Sequence, residues 1–398
     1  MLRHLLTLTW KRKSRNLMLS LEILLAFVIV FGIAAFALRS WQLYREPIGF
    51  DGADAWSVQV ATGDAKAESI PADVYDKLRR ALLALPAVRE AGFASYSPYT
   101  NSTWTTDVDS PATGAKVSTN ILEASDGFAA ATGMRVARGR WFSAADEGAA
   151  VQPALLNRRL AAVLFPGQDA LGRRFTRTDS GVTTTLEVIG IVDTYRHRHP
   201  LMTPVNFVFI RFAPQASAAR VRTMLVKLAP GTPRSVEAAL NRQLRLVRND
   251  WSYTIQPLAA MRASQMKEQL VPLAVIAVIA AFMLAMVAFG LFGVLWQNTT
   301  RRIPEIGLRR AVGARAGDIY RQIVLEQLLL SSVAMLPGLA LLAQLPLTGA
   351  LGASLDWPVF LGAAALSMGV IYLLSLLCSL YPGWRASRLH PAQALHYE

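Results

Sequence analysis

The stretch Leu270–Trp296, LVPLAVIAVIAAFMLAMVAFGLFGVLW, runs for 27 residues without a charged side chain. About 20 predominantly apolar residues suffice for a helix to cross the hydrocarbon core of a bilayer. Three more predominantly apolar runs follow from the same reading: Leu17–Leu38, Ile323–Leu345 and Pro358–Tyr381. Between the first and the second lies a stretch of ordinary soluble character, residues 39–269. The expected fold class is therefore an α-helical membrane protein with four transmembrane helices and a large α+β domain inserted between helices 1 and 2. The whole chain of 398 residues is 53% hydrophobic and only 17% charged, against about 25% charged in soluble domains. That excludes a disordered chain, since there is ample apolar surface to bury. The first run is too long for a cleaved signal, whose apolar region is about 7–15 residues.

The basic residues set the expected orientation. Residues 1–16 carry Arg3, Lys11, Arg12, Lys13 and Arg15 with no acid, the 297–322 loop carries six arginines, and the tail 382–398 carries Arg385 and Arg388. The loop 346–357 carries no base. Both termini and the 297–322 loop are thus expected in the cytoplasm, with the large domain and the 346–357 loop outside, in a bacterial cytoplasmic (inner) membrane. Trp10, Trp41, Trp296, Trp357 and Trp384 fall near the helix ends, as an interfacial aromatic belt would place them. The net charge of +14 then reads as topology and attraction to anionic lipid headgroups rather than as a nucleic-acid footprint. The 39–269 domain still holds 28 bases against 21 acids.

Inside that domain, residues 71–84 have helical spacing, and 91–96, 186–192, 206–212, 222–228 and 253–258 read as strands. Ser235 opens a helix with Val236, Leu240, Leu244 and Val247 on one face. Chemistry is sparse. No hydrolase elbow or zincin motif is present. His197 and His199, in YRHRH, lack a third metal ligand and are flanked by arginines, so the expectation is a solvated basic loop and no metal. Cys378, the one cysteine, excludes an internal disulfide and reads as a small buried hydrophobe. Glu22 is a carboxylate inside the first run. It snorkels toward the interface, meeting Arg15 or a loop arginine, or forms a buried tie to a second subunit.

The segment Thr300–Gln327, TRRIPEIGLRRAVGARAGDIYRQIVLEQ, carries the most information. Pro304 suits the first turn of a helix and Glu305 its positive end. Gly313 is placed to end that helix with positive φ, and Asp318 to start the next. This short helix reads as an interfacial amphipathic element or as a docking element for a cytosolic partner. In the tail, Pro382 is expected to end the last span, and Pro391 to open a short helix.

EIGLRRAVGA (305–314) and YPGWRASRLHPAQALHYE (381–398) resemble the permease subunits of MacB/FtsX-type ABC transporters, in a permease-only form without a fused ATPase. RGRWF (138–142), LNRRL (156–160), LFPG (164–167), LGRRF (171–175) and VIGIVD (188–193) are similar to that family's periplasmic core domain. Pro304, Gly383, Trp384 and His390 depart from the family pattern. The resemblance implies two permeases, identical or paralogous, seated on a cytosolic ABC ATPase dimer. Glu305, Ile306, Gly307, Arg309, Arg310, Gly313 and Ala314 would form the coupling helix, with Pro382, Arg385, Pro391 and Glu398 in the cytoplasmic tail. ATP and Mg would reside on the ATPase, since this chain has no Gly-Lys pair and no P-loop. Hydrolysis there would move the outside domain and export a peptide, antibiotic or other amphipathic cargo by mechanotransmission. A periplasmic adaptor and an outer-membrane channel are further partners the family admits. The family also admits two alternatives: a signalling subunit that switches a periplasmic partner without transport, and a lipoprotein-release permease.

Overall fold

The computed structural model describes residues 13–62, 70–179, 181–214, 221–349 and 355–388, with the backbone alone for 13–18 and 310. Two compact units divide the chain: Met1–Gln42 with Val271–Glu398, and Leu43–Leu270.

Helix α1 (Lys13–Arg45) leads into the second unit. Strand β1 (Ala55–Ala61), helix α2 (Ala72–Leu83) and strand β2 (Val88–Ala94) follow. The chain then makes a long excursion through β3 (Trp104–Asp109), β4 (Lys116–Ala124), α3 (Phe128–Thr132), β5 (Arg138–Gly139), β6 (Gln152–Asn157), α4 (Arg158–Leu164), β7 (Arg174–Asp179), β8 (Val182–Val192) and β9 (Phe207–Arg211). It returns as β10 (Thr223–Leu228), α5 (Val236–Val247) and β11 (Ser252–Pro257).

The first and last pieces form one layer. Strands β11-β1-β10-β2 pair antiparallel in that order. This is the split βαβ arrangement of ferredoxin-like folds. Amphipathic helices α2 and α5 bury Tyr75, Leu78, Leu82, Leu240 and Leu244 against Val58, Phe93 and Val226 of that sheet. Deleting one such side chain, as in Leu82→Ala, costs about 2–5 kcal/mol through lost transfer energy and the cavity left behind.

The excursion closes on itself. Strand β4 pairs β3, β3 pairs β7, β7 pairs β8, β8 pairs β6, β6 pairs β9, and β9 returns parallel to β4. Six strands thus make a small barrel with no free edge among them. Alternate residues point inward: Val108, Ile121, Phe175, Leu186, Val208 and Ile210 fill it, and Leu160 and Leu164 of α4 join the cluster. The barrel and the four-stranded layer meet edge to edge through Ala94 and Ala124. Gly92 and Gly127 are required nearby, because a Cβ on Gly92 would lie 2.5 Å from the Phe128 amide nitrogen.

Helices α6 (Leu258–Arg301), α7 (Ile303–Ala311), α8 (Ala316–Thr348) and α9 (Trp357–Ser387) complete the chain. With α1, three of them are long and apolar enough to cross a membrane. All four exceed the apolar runs that announce them. The 44 residues of α6 extend for about 66 Å at 1.5 Å per residue. Its first turn is rooted in the core of the Leu43–Leu270 unit through buried Leu258 and Met261. In the other unit, Phe27 of α1 packs at Gly338 of α8, and Phe31 meets Phe360 of α9 edge-on at 5.4 Å. Ser331 and Ser375 are hydrogen-bonded at 2.7 Å between α8 and α9, the kind of small polar contact that joins helices where no water competes. Cys378 is buried, with its Sγ 3.4 Å from the Ala288 carbonyl.

Three expectations need correction. Pro382 does not end the last helix; α9 continues through it to Ser387. Pro382, Gly383 and Ala386 are buried, with Gly383 against the Tyr320 ring, and this packing outweighs the lost i−4 hydrogen bond. Helix α8 starts at Ala316 rather than at Asp318. Asp318 sits one turn in, and its Oδ2 accepts from the Arg315 amide at 3.3 Å, holding the cap residue. The YRHRH segment is not a solvated loop. Tyr195, Arg196 and His197 are fully buried. The Arg196 donors are matched by the carbonyls of Leu43, Glu46, Pro47, Pro200 and Met202, which makes burial of the guanidinium affordable in energy.

Candidate functional site

The 297–322 segment is almost entirely helical. Helix α6 runs on to Arg301, α7 spans Ile303–Ala311 and α8 begins at Ala316. Pro304 lies in the first turn of α7, where a missing N–H costs nothing. Gly313 takes φ +103°, a value disfavoured for any side chain. The Ala314 amide then donates to the Arg309 carbonyl at 3.0 Å and closes the helix end.

One face of α7 is fastened down. Ile303 and Ile306 are buried, and Ile306 shares a cluster with Ile319 of α8 and Ala386 of α9, with Ala314 packed against it. Gly307 is buried as well. Arg309 donates to Gln322 at 2.9 Å, which ties α7 to α8, and to Glu305 at 2.6 Å within α7. That exposed i,i+4 pair is worth only about 0.3–0.5 kcal/mol. The stronger tie is just outside the helix. Arg302 makes a bidentate pair with Glu326 of α8 at 2.6 and 2.9 Å, both side chains about one-fifth exposed. Charge-assisted bonds of this kind contribute about 1.5–3 kcal/mol each where solvent is excluded.

The opposite face is open. Pro304, Glu305, Leu308, Ala311 and Val312 are exposed, Leu308 at 59% and Val312 at 82%. A rigidly held short helix therefore presents an apolar pair beside a carboxylate. Of the residues read from sequence as one site, Glu305 lies on the open face, and Ile306 and Gly307 form the buried seat. Arg309 bridges to α8, and Gly313 and Ala314 terminate the helix; Arg310 is described by its backbone alone, within α7.

The tail flanks this site. Trp296 of α6 stacks on Tyr381 of α9 at 5.8 Å with the rings nearly parallel, and the Arg385 guanidinium lies 4.4 Å over Trp296. Arg388 lies 4.5 Å over Trp384. The first of these cation–π contacts joins the ends of α6 and α9, and the second lies within the end of α9. Pro391 and Glu398, the other tail residues read from sequence, lie outside the described residues. Glu22 sits against bare backbone on α6, where a Cβ on Gly290 would overlap its carboxylate. Arg302, Glu326, Leu308 and Val312 belong to this candidate site and are not singled out by sequence reading. Glu326 is a second carboxylate inside an apolar run, and its partner lies 24 residues away, beyond any local pattern.

Residues 20–243 match the family model described as MacB-like periplasmic core domain, and residues 277–391 match that described as FtsX-like permease C-terminal. The chain belongs to this family of MacB/FtsX-like permeases. It is thus an ABC transporter permease with a MacB-like periplasmic domain and transmembrane helices, a multi-pass protein of the inner membrane. The macrolide export ATP-binding/permease protein MacB of Agrobacterium fabrum is 25% identical over 97% of this chain and 59% of its own length. That of Marinobacter nauticus is 26% identical over 66% of this chain and 41% of its own. The pyoverdine export ATP-binding/permease protein PvdT of Pseudomonas aeruginosa is 28% identical over 65% and 39%. The chain thus spans between about four-tenths and six-tenths of the length of these relatives. The matched domains are permease domains, without a catalytic domain among them.

Proposed function

We propose that this MacB/FtsX-like permease is the membrane part of an export machine driven by a cytosolic ABC ATPase. The single observation that carries the reading is α7: one face locked to α8 and α9, the other offering Leu308, Val312 and Glu305 to a partner. The ATPase dimer docks on that face, with ATP and Mg bound on the ATPase. Both termini and α7 face the cytoplasm, as the arginine distribution favours, and the Leu43–Leu270 unit faces outside. A second permease, identical or paralogous, completes the pair.

Closure of the ATPases displaces α7. Because Arg302–Glu326 and the Ile306–Ile319 contact hold it to α8, the displacement passes into the helical unit as a rigid body rather than dissipating locally. Helix α6 runs from that unit to Leu258, with Pro272 inside it, and is the covalent path by which the displacement reaches the domain. The cargo is a peptide, antibiotic or other amphipathic molecule expelled on the outer side by mechanotransmission. The names of the relatives, which cover both macrolide and pyoverdine export, favour export over signalling.

The test is retention of an ATPase. Affinity-tagged chain, solubilised gently from its native membrane, is expected to retain an ABC ATPase, and Leu308→Glu with Val312→Glu is expected to lose it while melting as the parent does. Retention unchanged in the double variant, or no ATPase retained by the parent chain, would overturn the reading.

A further inference from the structure

The inner stripes of the barrel change character toward one end. On β3 the inward positions run Val108, Thr106, Trp104; on β4, Ile121 then Glu123; on β7, Phe175, Arg177, Asp179. Val108, Ile121 and Phe175 belong to the packed interior. Beyond them the same faces line a cleft of about 410 Å³ with Trp104, Thr106, Glu123, Arg177 and Asp179 on its walls. The mouth of a barrel is a common place for a small-molecule site.

Three features make this mouth unlike a filled core. Among the described residues, no hydrogen-bond donor meets the Glu123 carboxylate, although burial raises its pKa and so penalises its charge. The Arg177 side chain is 16% exposed, 3.9 Å from Asp179, and its Nε is buried without an acceptor. Trp104 leaves a large part of its indole open to solvent, 43% exposed. An unpaired half-buried carboxylate beside an unpaired guanidinium nitrogen is costly unless something completes both.

We propose that the barrel mouth binds an organic cation: an amine seated against Glu123, with a neighbouring carbonyl or hydroxyl oxygen accepting from Arg177 Nε and an apolar body on the Trp104 ring. Charge complementarity selects the cation, because two carboxylates face one guanidinium there, within a domain whose overall balance is basic. The indole face adds attraction for a positive charge. Burial makes Glu123 selective: the Arg177 charge offsets the desolvation of the carboxylate only in part, and a ligand that brings a positive charge offsets more of it. The site does not depend on the transport reading; it is a property of the barrel alone.

The full chain in nanodiscs of zwitterionic lipid is titrated with 4-fluorophenylalaninamide and followed by ligand-observed fluorine NMR, against empty discs. Binding above the empty-disc background is expected, weakened by about tenfold or more in Glu123→Gln and in Trp104→Ala. The N-acetylated amide, neutral but otherwise matched, is expected to bind about tenfold more weakly than the amine. Thermal melting of each variant identifies any that misfolds; Asp179→Asn, at an exposed position, then serves in place of Glu123→Gln. No binding by the parent chain, equal binding of the neutral amide, or tighter binding of the anionic N-acetyl-4-fluorophenylalanine would overturn the proposal. A chain that binds the amine yet retains no ATPase upholds this site and fails the permease reading; the converse result fails the site alone.

Discussion

The Arg196 guanidinium donates to the Leu43 carbonyl at 2.8 Å, in the last turn of α1. The same side chain also meets the carbonyls of Glu46, Pro47, Pro200 and Met202. A cation at a helix C-terminus complements the helix dipole, and here it adds to the Glu46 amide, which donates to the same Leu43 carbonyl at 3.3 Å. Arg196 therefore fastens the end of α1 to the loop after β8. Arg196→Met leaves the buried Pro200 and Met202 carbonyls without donors, at about 1–3 kcal/mol each, and removes the part-buried bonds to Glu46 and Pro47. The expected loss is a fall in Tm of about 10 °C or more for a unit of this size, with Arg196→Lys losing less. Thermal melting of the full chain checks this, and early proteolytic cleavage near residues 43–47 in Arg196→Met is the local sign of it. A melt unchanged in Arg196→Met would show that the carbonyls find other donors.

His197 gives the domain a pH dependence. It is fully buried, its Nε2 3.2 Å from both the Thr103 hydroxyl and the Ser102 carbonyl. Burial, with the neighbouring Arg198 charge, lowers its pKa from 6.5 to about 4. Between those values the unfolded chain takes up a proton that the folded chain refuses. Stability is complete above pH 6.5 and falls as the pH drops toward 4, by about 3 kcal/mol in total. Denaturation midpoints measured across that window are expected to slope more steeply in the parent than in His197→Gln. Equal slopes would mean that another group sets the dependence.

Gly92 is a packing requirement rather than a flexible joint. Its missing Cβ makes room for the Gly127–Phe128 backbone, which cannot swing aside as a side chain could. Gly92→Ala is expected to destabilise by about 1–3 kcal/mol or more, read as a drop in the denaturation midpoint. Gly148→Ala serves as a comparison for space, because nothing lies within 4 Å of a Cβ there, although its φ of +72° brings strain of its own. A Gly92→Ala midpoint no lower than that of Gly148→Ala would refute the close-approach argument.

The seat of α7 should matter as much as its open face. Arg302→Gln and Glu326→Gln each leave a half-buried charge unpaired, a loss of about 2–3 kcal/mol. Both are expected to reduce ATPase retention although neither residue is on the docking face, and the double variant is expected to lose less than the sum of the two. Retention measured by co-purification from the same membranes decides it; additive losses would show that the two residues act separately.

What could be read in the sequence was what depends on neighbours along the chain. Apolar runs mark α1, α6, α8 and α9 because crossing a bilayer needs length and composition alone. Pro304, Glu305 and Gly313 mark the ends of α7 because capping is a matter of a few residues. Leu240 and Leu244 declare their buried face by spacing. What the sequence left open was every feature whose partner is distant. Pro382 looks like a stop signal, yet α9 runs through it because Tyr320 and Ile323 of α8 cover that turn. YRHRH looks solvated, yet Arg196 is buried because carbonyls about 150 residues earlier receive its donors. Arg302 looks like one more basic residue of a loop until Glu326 is placed beside it. The barrel exists only through the parallel pairing of β4 with β9, and with it the mouth where Trp104, Glu123 and Arg177 converge. Local pattern thus marked the long apolar helices, α2, α5 and the strands β2, β8, β9, β10 and β11, and left β1, β3, β4, β6 and β7 unread. Long-range pairing decided which charges are buried, because burial depends on donors and acceptors that only the folded chain brings together.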